Sequence, residues 1–199
     1  MRRRARGDAG QAFPIYITVV GGLLFLAFAY LAVGQAAANR NGAQTAADAA
    51  ALAAAQDRRD QLAGLWLTDI LDPTKWQDIF DGNAEGLDPS CGRADELAAQ
   101  NDAVVLVCDP DGPLAYKVEV RTNRSVGESV IPGTEDERST ASARAEIEPL
   151  CEFELPAEDA PEDDDLPGLT CKDRNWDVDP DNPTGLPEPQ DLFDVHLAD

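Results

Sequence analysis

Residues 12–33 read AFPIYITVVGGLLFLAFAYLAV, a run of 22 residues without a charge. About 20 helical residues cross the hydrocarbon core of a bilayer, so the run predicts a transmembrane helix. The competing reading is a cleaved secretory signal, with Ala36-Ala37-Ala38 as its cleavage site. Such a signal has an apolar stretch of roughly 7–15 residues, well short of this one, so a spanning helix is the expectation. Just before the run stand Arg2, Arg3, Arg4 and Arg6 against Asp8, a net +3. Flanking cations stay in the cytoplasm, which predicts an N-in, C-out single-pass protein with residues 34–199 outside the cell. Tyr16, Tyr30 and Trp66 are candidate markers of interfacial depth.

Charge and composition narrow the function of the remainder. The chain of 199 residues carries 38 Asp and Glu against 16 Lys and Arg, a formal charge of −22. A polyanion is repelled by phosphate backbones, so no nucleic-acid partner is expected. Aromatic content is 6% and alanine supplies much of the apolar fraction, which predicts at most one modest core. His196 is the only histidine, so histidine triads, His-rich zinc sites and haem lack residues to build on. No enzyme activity, cofactor or metal site is assigned. The serines 125, 129, 139 and 142 belong to no Gly-x-Ser-x-Gly elbow.

Beyond the span the helix is expected to continue. Residues 36–55 are dominated by alanine, the strongest helix former, and no proline lies between Pro14 and Pro73. One helix from about residue 12 to about residue 57 follows, with Pro14 in its first turn, where a missing N–H costs little. Ala43, Ala46, Ala50, Ala53 and Ala54 form a smooth face at helical spacing, suited to close approach by another helix; the equal alternative is a lone Ala-rich helix without a partner. Residues 61–80 hold Leu62, Leu65, Trp66, Ile70 and Leu71, then Trp76, Ile79 and Phe80, divided by Asp72-Pro73. Those side chains are the candidate core, and Trp66 and Trp76 are read as core and not as ligand platforms.

A short helix over residues 94–100 precedes two strands. Residues 103–108, AVVLVC, are continuously apolar; residues 115–121, AYKVEVR, alternate; Asp109-Pro110-Asp111-Gly112 turns between them. Residues 140–147, TASARAEI, fit either a third strand or a short helix, and their alternation slightly favours the strand. The fold class is therefore α+β: a long N-terminal transmembrane helix continuing outside the membrane, a small disulfide-bonded domain, and an acidic tail. The expected divisions are a basic stub at 1–11, the span at 12–33, an Ala-rich helix extension at 34–60, the domain at 61–151, and the tail at 152–199. The tail holds sixteen Asp and Glu and seven prolines, a composition expected to be largely irregular.

Cys91, Cys108, Cys151 and Cys171 are even in number, all beyond the span, and none forms a CxxC. In an oxidising compartment two disulfides are the default, with three possible pairings. The nearest-neighbour set would close two short loops. Four free thiols in a reducing compartment are the alternative. In the tail, Asp177, Asp179, Asp181 and Glu188 imitate a calcium-loop spacing, but Asn182 replaces the turn glycine and Pro180, Pro183, Pro187 and Pro189 obstruct a flanking helix. Weak, diffuse divalent-cation binding is the most that the tail, including the acidic run 162–165, suggests. Asn123-Arg124-Ser125 is read as a chance glycosylation triplet.

The N-terminal third resembles the Tad (Flp pilus) assembly proteins of the TadE/TadG-like type. The residues that carry the likeness are Arg6-Gly7-Asp8-Ala9-Gly10-Gln11, the apolar span, and Thr45-Ala46-Ala47-Asp48-Ala49-Ala50-Ala51-Leu52-Ala53. The resemblance implies a membrane-bound, minor-pilin-like component whose N-terminal helix packs with other pilin-like or pilus-assembly proteins. Ala46, Asp48, Ala50 and Ala53 would carry that packing. It also implies a prepilin processing-site remnant at Gly10, Gln11, Ile15 and Tyr16. Tyr16 matches the pilin pattern, whereas Ile15 stands where pilins place a glutamate, which favours an uncleaved, membrane-retained protein. The alternative class is a membrane-tethered acidic surface module that binds cations or basic partners.

Overall fold

The structure, a computed structural model, describes residues 12–125, 136–155, 166–172, 174–179 and 185–198. Its first element is a single helix, α1, Ala12–Thr68, which at the α-helical rise is about 85 Å long. The helix runs past residue 57 because nothing there breaks it. Asp57, Arg58, Arg59, Asp60 and Gln61 tolerate helix, and Gln61 Nε2 donates to Asp57 Oδ2 one turn back at 2.8 Å. It ends ahead of Asp72 and Pro73, where a 3₁₀ turn over Pro73–Lys75 leads into α2, Trp76–Phe80. The division expected at residue 60 thus falls inside one helix.

At that turn Thr74 Oγ1 donates to Asp72 Oδ1 at 2.5 Å, and Lys75 Nζ lies 3.6 Å from Asp72 Oδ2. The hydroxyl first, and the ammonium second, hold the Asp72 carboxyl below its ordinary 3.8. A lowered folded value means that the turn's contribution is present above pH 3.8 and is lost as pH falls through the lowered value. Thr74→Ala should move the Asp72 titration seen by carboxyl NMR upward, toward its ordinary position. An unmoved midpoint would exclude the hydroxyl as the main cause.

After α3, Cys91–Gln100, the chain forms β1, Ala103–Pro110, and β2, Ala115–Thr122. Next comes β3, Thr140–Pro149. These strands are antiparallel, and the sheet is completed by β7, Phe193–Leu197, in the order β1-β2-β3-β7. Alternation settles the faces. Tyr116, Val118 and Val120 of β2 and Ala145 and Ile147 of β3 point inward against α1, while Lys117, Glu119 and Arg121 point outward. In β1 the register slips between Val105 and Val107, a bulge that leaves Val104, Leu106 and Val107 partly exposed on this edge strand.

A second, smaller sheet joins β4, Cys151–Glu152, to β5, Leu169–Cys171, and β6, Arg174–Trp176. Two disulfides close the domain. Cys91–Cys108 ties α3 to β1, and Cys151–Cys171 joins directly paired residues of β4 and β5. They span 17 and 20 residues, for which the chain-entropy model gives about 3 kcal/mol each. Replacing Cys91 and Cys108 together by serine should lower stability by about that amount, read as a shift in the urea midpoint. An unshifted midpoint would mean that the loop is already fixed by the pairing of β1.

Within the segment expected to be an irregular tail, the structure differs. The described residues of 152–199 include β5, β6, the short helix α4, Pro189–Leu192, and β7. Phe193 and Leu192 are fully buried. The reason is local alternation: Phe193, Val195 and Leu197 pair with Pro149, Ile147 and Ala145 of β3, and Asp194 and His196 take the opposite face. Five alternating residues suffice for a strand once a partner edge is present, whatever the average composition around them.

The core lies where these elements meet. Trp66 and Trp76 meet as tilted rings with centroids 5.5 Å apart, Trp76 meets Phe153 at 5.4 Å, and Phe80 bridges Phe153 at 5.7 Å and Phe193 at 5.3 Å. This aromatic chain links α1, α2, the segment after β4, and β7. The Arg58 guanidinium donates to Tyr116 Oη at 2.6 and 3.1 Å, fixing α1 against β2. Gly82 makes the turn after α2 at φ +73°; a Cβ there would lie 2.8 Å from the Pro113 carbonyl oxygen, so only glycine fits.

Candidate functional site

Helix α1 divides into two unlike halves. Its N-terminal half is apolar and uncovered. None of its most apolar stretch is buried, and this is the one helix among the described residues long and apolar enough to cross a membrane. Phe25 is 72% exposed and Tyr30 82%. The exposed large side chains include Phe13, Ile17, Val20, Leu23, Leu24, Leu26 and Phe28, so the apolar surface runs all round the helix. A helix in water would show one apolar stripe; one that is apolar on every side is built for a nonpolar surrounding.

The C-terminal half is covered by the chain itself. Ala43, Ala46, Ala47, Ala50, Ala51, Ala54 and Ala55 are fully buried, and Ala53 nearly so. They form a seam against which β2, β3 and α3 pack. Ala46, Ala50 and Ala53, expected to offer a face to the helix of another protein, are buried within this chain, where α1 packs against β2, β3 and α3. Their small side chains let the chain's own sheet and α3 approach the helix backbone closely, and the surface is used up inside the domain. Asp48 lies at the margin of the seam, half-buried, and accepts from Gln44 Nε2 at 2.7 Å.

The processing-site residues are placed unevenly. Gly10 and Gln11 lie outside the described residues. Ile15 and Tyr16 are exposed in the first turns of α1, and Thr18 Oγ1 donates to the Pro14 carbonyl at 2.8 Å. The four cysteines sit in the domain as two disulfides, with no free thiol among the described residues. Of the calcium-like series, Asp181 and Asn182 lie outside the described residues. Glu188 starts α4, where its backbone N–H donates to Asp191 Oδ2 at 3.0 Å. Its place is a helix start, not the end of a cation loop.

Sequence reasoning did not foresee the outer face of the β3–β7 pair, where Glu146, Glu148, Asp194 and His196 meet. Their separation in sequence gives no signal; only the register of β7 brings them together. A cleft of about 700 Å³ lies beside Cys151 and is lined by Gln77, Phe80, Asp81, Phe153 and Thr170 among others.

These features define a class: a small disulfide-bonded α+β domain built onto one end of a helix whose other end is apolar and bare. Residues 10–57, which take in most of α1, match the family model described as putative Flp pilus-assembly TadE/G-like. The match takes in both the apolar half and the alanine seam as far as Asp57. No curated protein and no solved structure matches the chain.

Proposed function

We propose that the protein is a non-enzymatic, single-pass pilus-assembly component of the Tad/Flp type, minor-pilin-like and held in the cell membrane by α1. The observation that carries this reading is the uncovered apolar half of the helix inside a segment matching a pilus-assembly family. Twenty-two residues rise about 33 Å, enough for a hydrocarbon core of about 30 Å. The arginines at 2, 3, 4 and 6 then stay in the cytoplasm and the disulfide-bonded domain stands outside the cell. Ala43, the first buried alanine, lies about 15 Å beyond Val33, so the domain begins close above the headgroups.

Contacts with other pilus proteins run through residues 13–42, because the alanine seam further along is occupied. Ile15 lacks the carboxylate that would answer a neighbouring amine inside the bilayer, which supports an accessory component retained in the membrane over a bulk filament subunit.

Replacing Leu23 and Leu26 together by arginine tests the anchor. Each central arginine costs about 2.5–3.5 kcal/mol of insertion. The variant should leave the alkali-resistant membrane fraction while its disulfide-bonded domain stays folded. Retention in that fraction at the parent's level would contradict the spanning helix.

A further inference from the structure

We infer that Glu148, Asp194 and His196 form a site for a transition-type divalent cation, of which Zn²⁺ is the representative probe. One ligand atom from each residue lies within 4.8 Å of the other two. Tetrahedral zinc holds its nitrogen and oxygen ligands about 3.3 Å apart, so small rotamer changes close the set without moving the backbone. The residues come from two paired strands, with Glu148 opposite Asp194 and Glu146 opposite His196 on the outer face of the sheet. Strands hold ligands more firmly than loops do.

The charge distribution at this place supports a cation. Two carboxylates directly opposite on neighbouring strands repel one another, yet here Glu148 faces Asp194. The nearby arginine does not relieve them: Arg144 is shared between Asp111 and Glu146. Among the described residues no Lys or Arg pairs with Glu148 or Asp194. The imidazole of His196 is the remaining group, with Nδ1 3.5 Å from Asp194 Oδ2 and Nε2 3.9 Å from Glu146 Oε2. All three ligands are open to solvent, so an ion has an entry path.

The donor set selects the ion. One imidazole nitrogen with two carboxylates suits zinc and its neighbours, whereas calcium prefers six to eight oxygens and magnesium an octahedron of oxygen and water. An ion bound here joins β7 to β3, near the C-terminal end of the chain. The inference does not depend on the membrane reading, since both strands belong to the folded domain.

The test uses the full chain in detergent, stripped with chelator and titrated with Zn²⁺ by calorimetry, with thermal unfolding in parallel. One saturable zinc per chain is expected, with a melting temperature that rises with zinc concentration and an equal concentration of Ca²⁺ failing to compete. His196→Asn should weaken binding at least tenfold, Asp194→Asn likewise, and Asp88→Asn, on a distant loop, not at all. Metal-free melting temperatures matching the parent's show that the variants fold. If one misfolds, Glu148→Gln takes its place. Zinc binding that survives His196→Asn and Asp194→Asn combined, or that never saturates, would overturn the site and assign the ion to diffuse attraction by the acidic surface.

Discussion

Ala50→Glu is expected to unfold the disulfide-bonded domain while leaving the proposed membrane anchor, the apolar half of α1, intact. Ala50 has no exposed surface and sits in the middle of the alanine seam. Glutamate there adds four heavy atoms beyond the methyl to a closed interface, which costs about 1–3 kcal/mol in overpacking. It also buries a carboxylate without a partner, at several kcal/mol more. The sum approaches the whole stability of a small domain, about 5–15 kcal/mol. Near-UV circular dichroism of the Trp66–Trp76 pair, together with limited proteolysis, reads the loss. Thr45→Glu, one turn earlier on the exposed side, should fall within about 0.5 kcal/mol of the parent. If Ala50→Glu melted like the parent and lost only its partners, the seam would be an interface between proteins after all.

Removing residues 193–199 is expected to be nearly as severe. The deletion takes β7 from the sheet and with it Phe193, which is fully buried and packs 5.3 Å from Phe80. Loss of one such phenylalanine costs about 3–5 kcal/mol. The deletion also removes the hydrogen bond just past the strand, in which the Ala198 N–H donates to the Arg144 carbonyl at 2.8 Å. Urea unfolding of the truncated chain should show a clearly lowered midpoint. A midpoint equal to the parent's would return these residues to the status of a dispensable acidic tail.

Those two sites mark the limits of what the sequence discloses. The apolar run, the alanine helix, the core tryptophans and the β1–β2 hairpin were legible because their signals are local: hydropathy over 22 residues, alanine content, and alternation around Asp109-Pro110-Asp111-Gly112. The third strand was legible for the same reason. What covers Ala46, Ala50 and Ala53 was not legible, because a smooth helix face has the same spacing whether the covering element belongs to this chain or to another.

The fourth strand was hidden differently. Phe193, Val195 and Leu197 alternate over five residues inside a stretch whose average charge and proline content read as irregular, so composition outweighed pattern. The candidate cation site shared that fate, since His196 has no ligand-like neighbour in sequence except Asp194. Glu148 joins it only through the register with β3. The disulfides lie between: the even count and placement predicted two bridges, while the pairing came from Cys151 standing directly opposite Cys171 and α3 lying against β1.

The most direct measurement shears cells, separates filaments from membranes, and takes an intact mass of the protein in each. Full-length protein confined to the membrane fraction is the predicted result, as an uncleaved assembly component anchored by α1 requires. A mass beginning at Gln11 in sheared filaments would make it a processed subunit despite Ile15. A mass beginning near Asn39 would remove the anchor altogether and contradict the account at its centre.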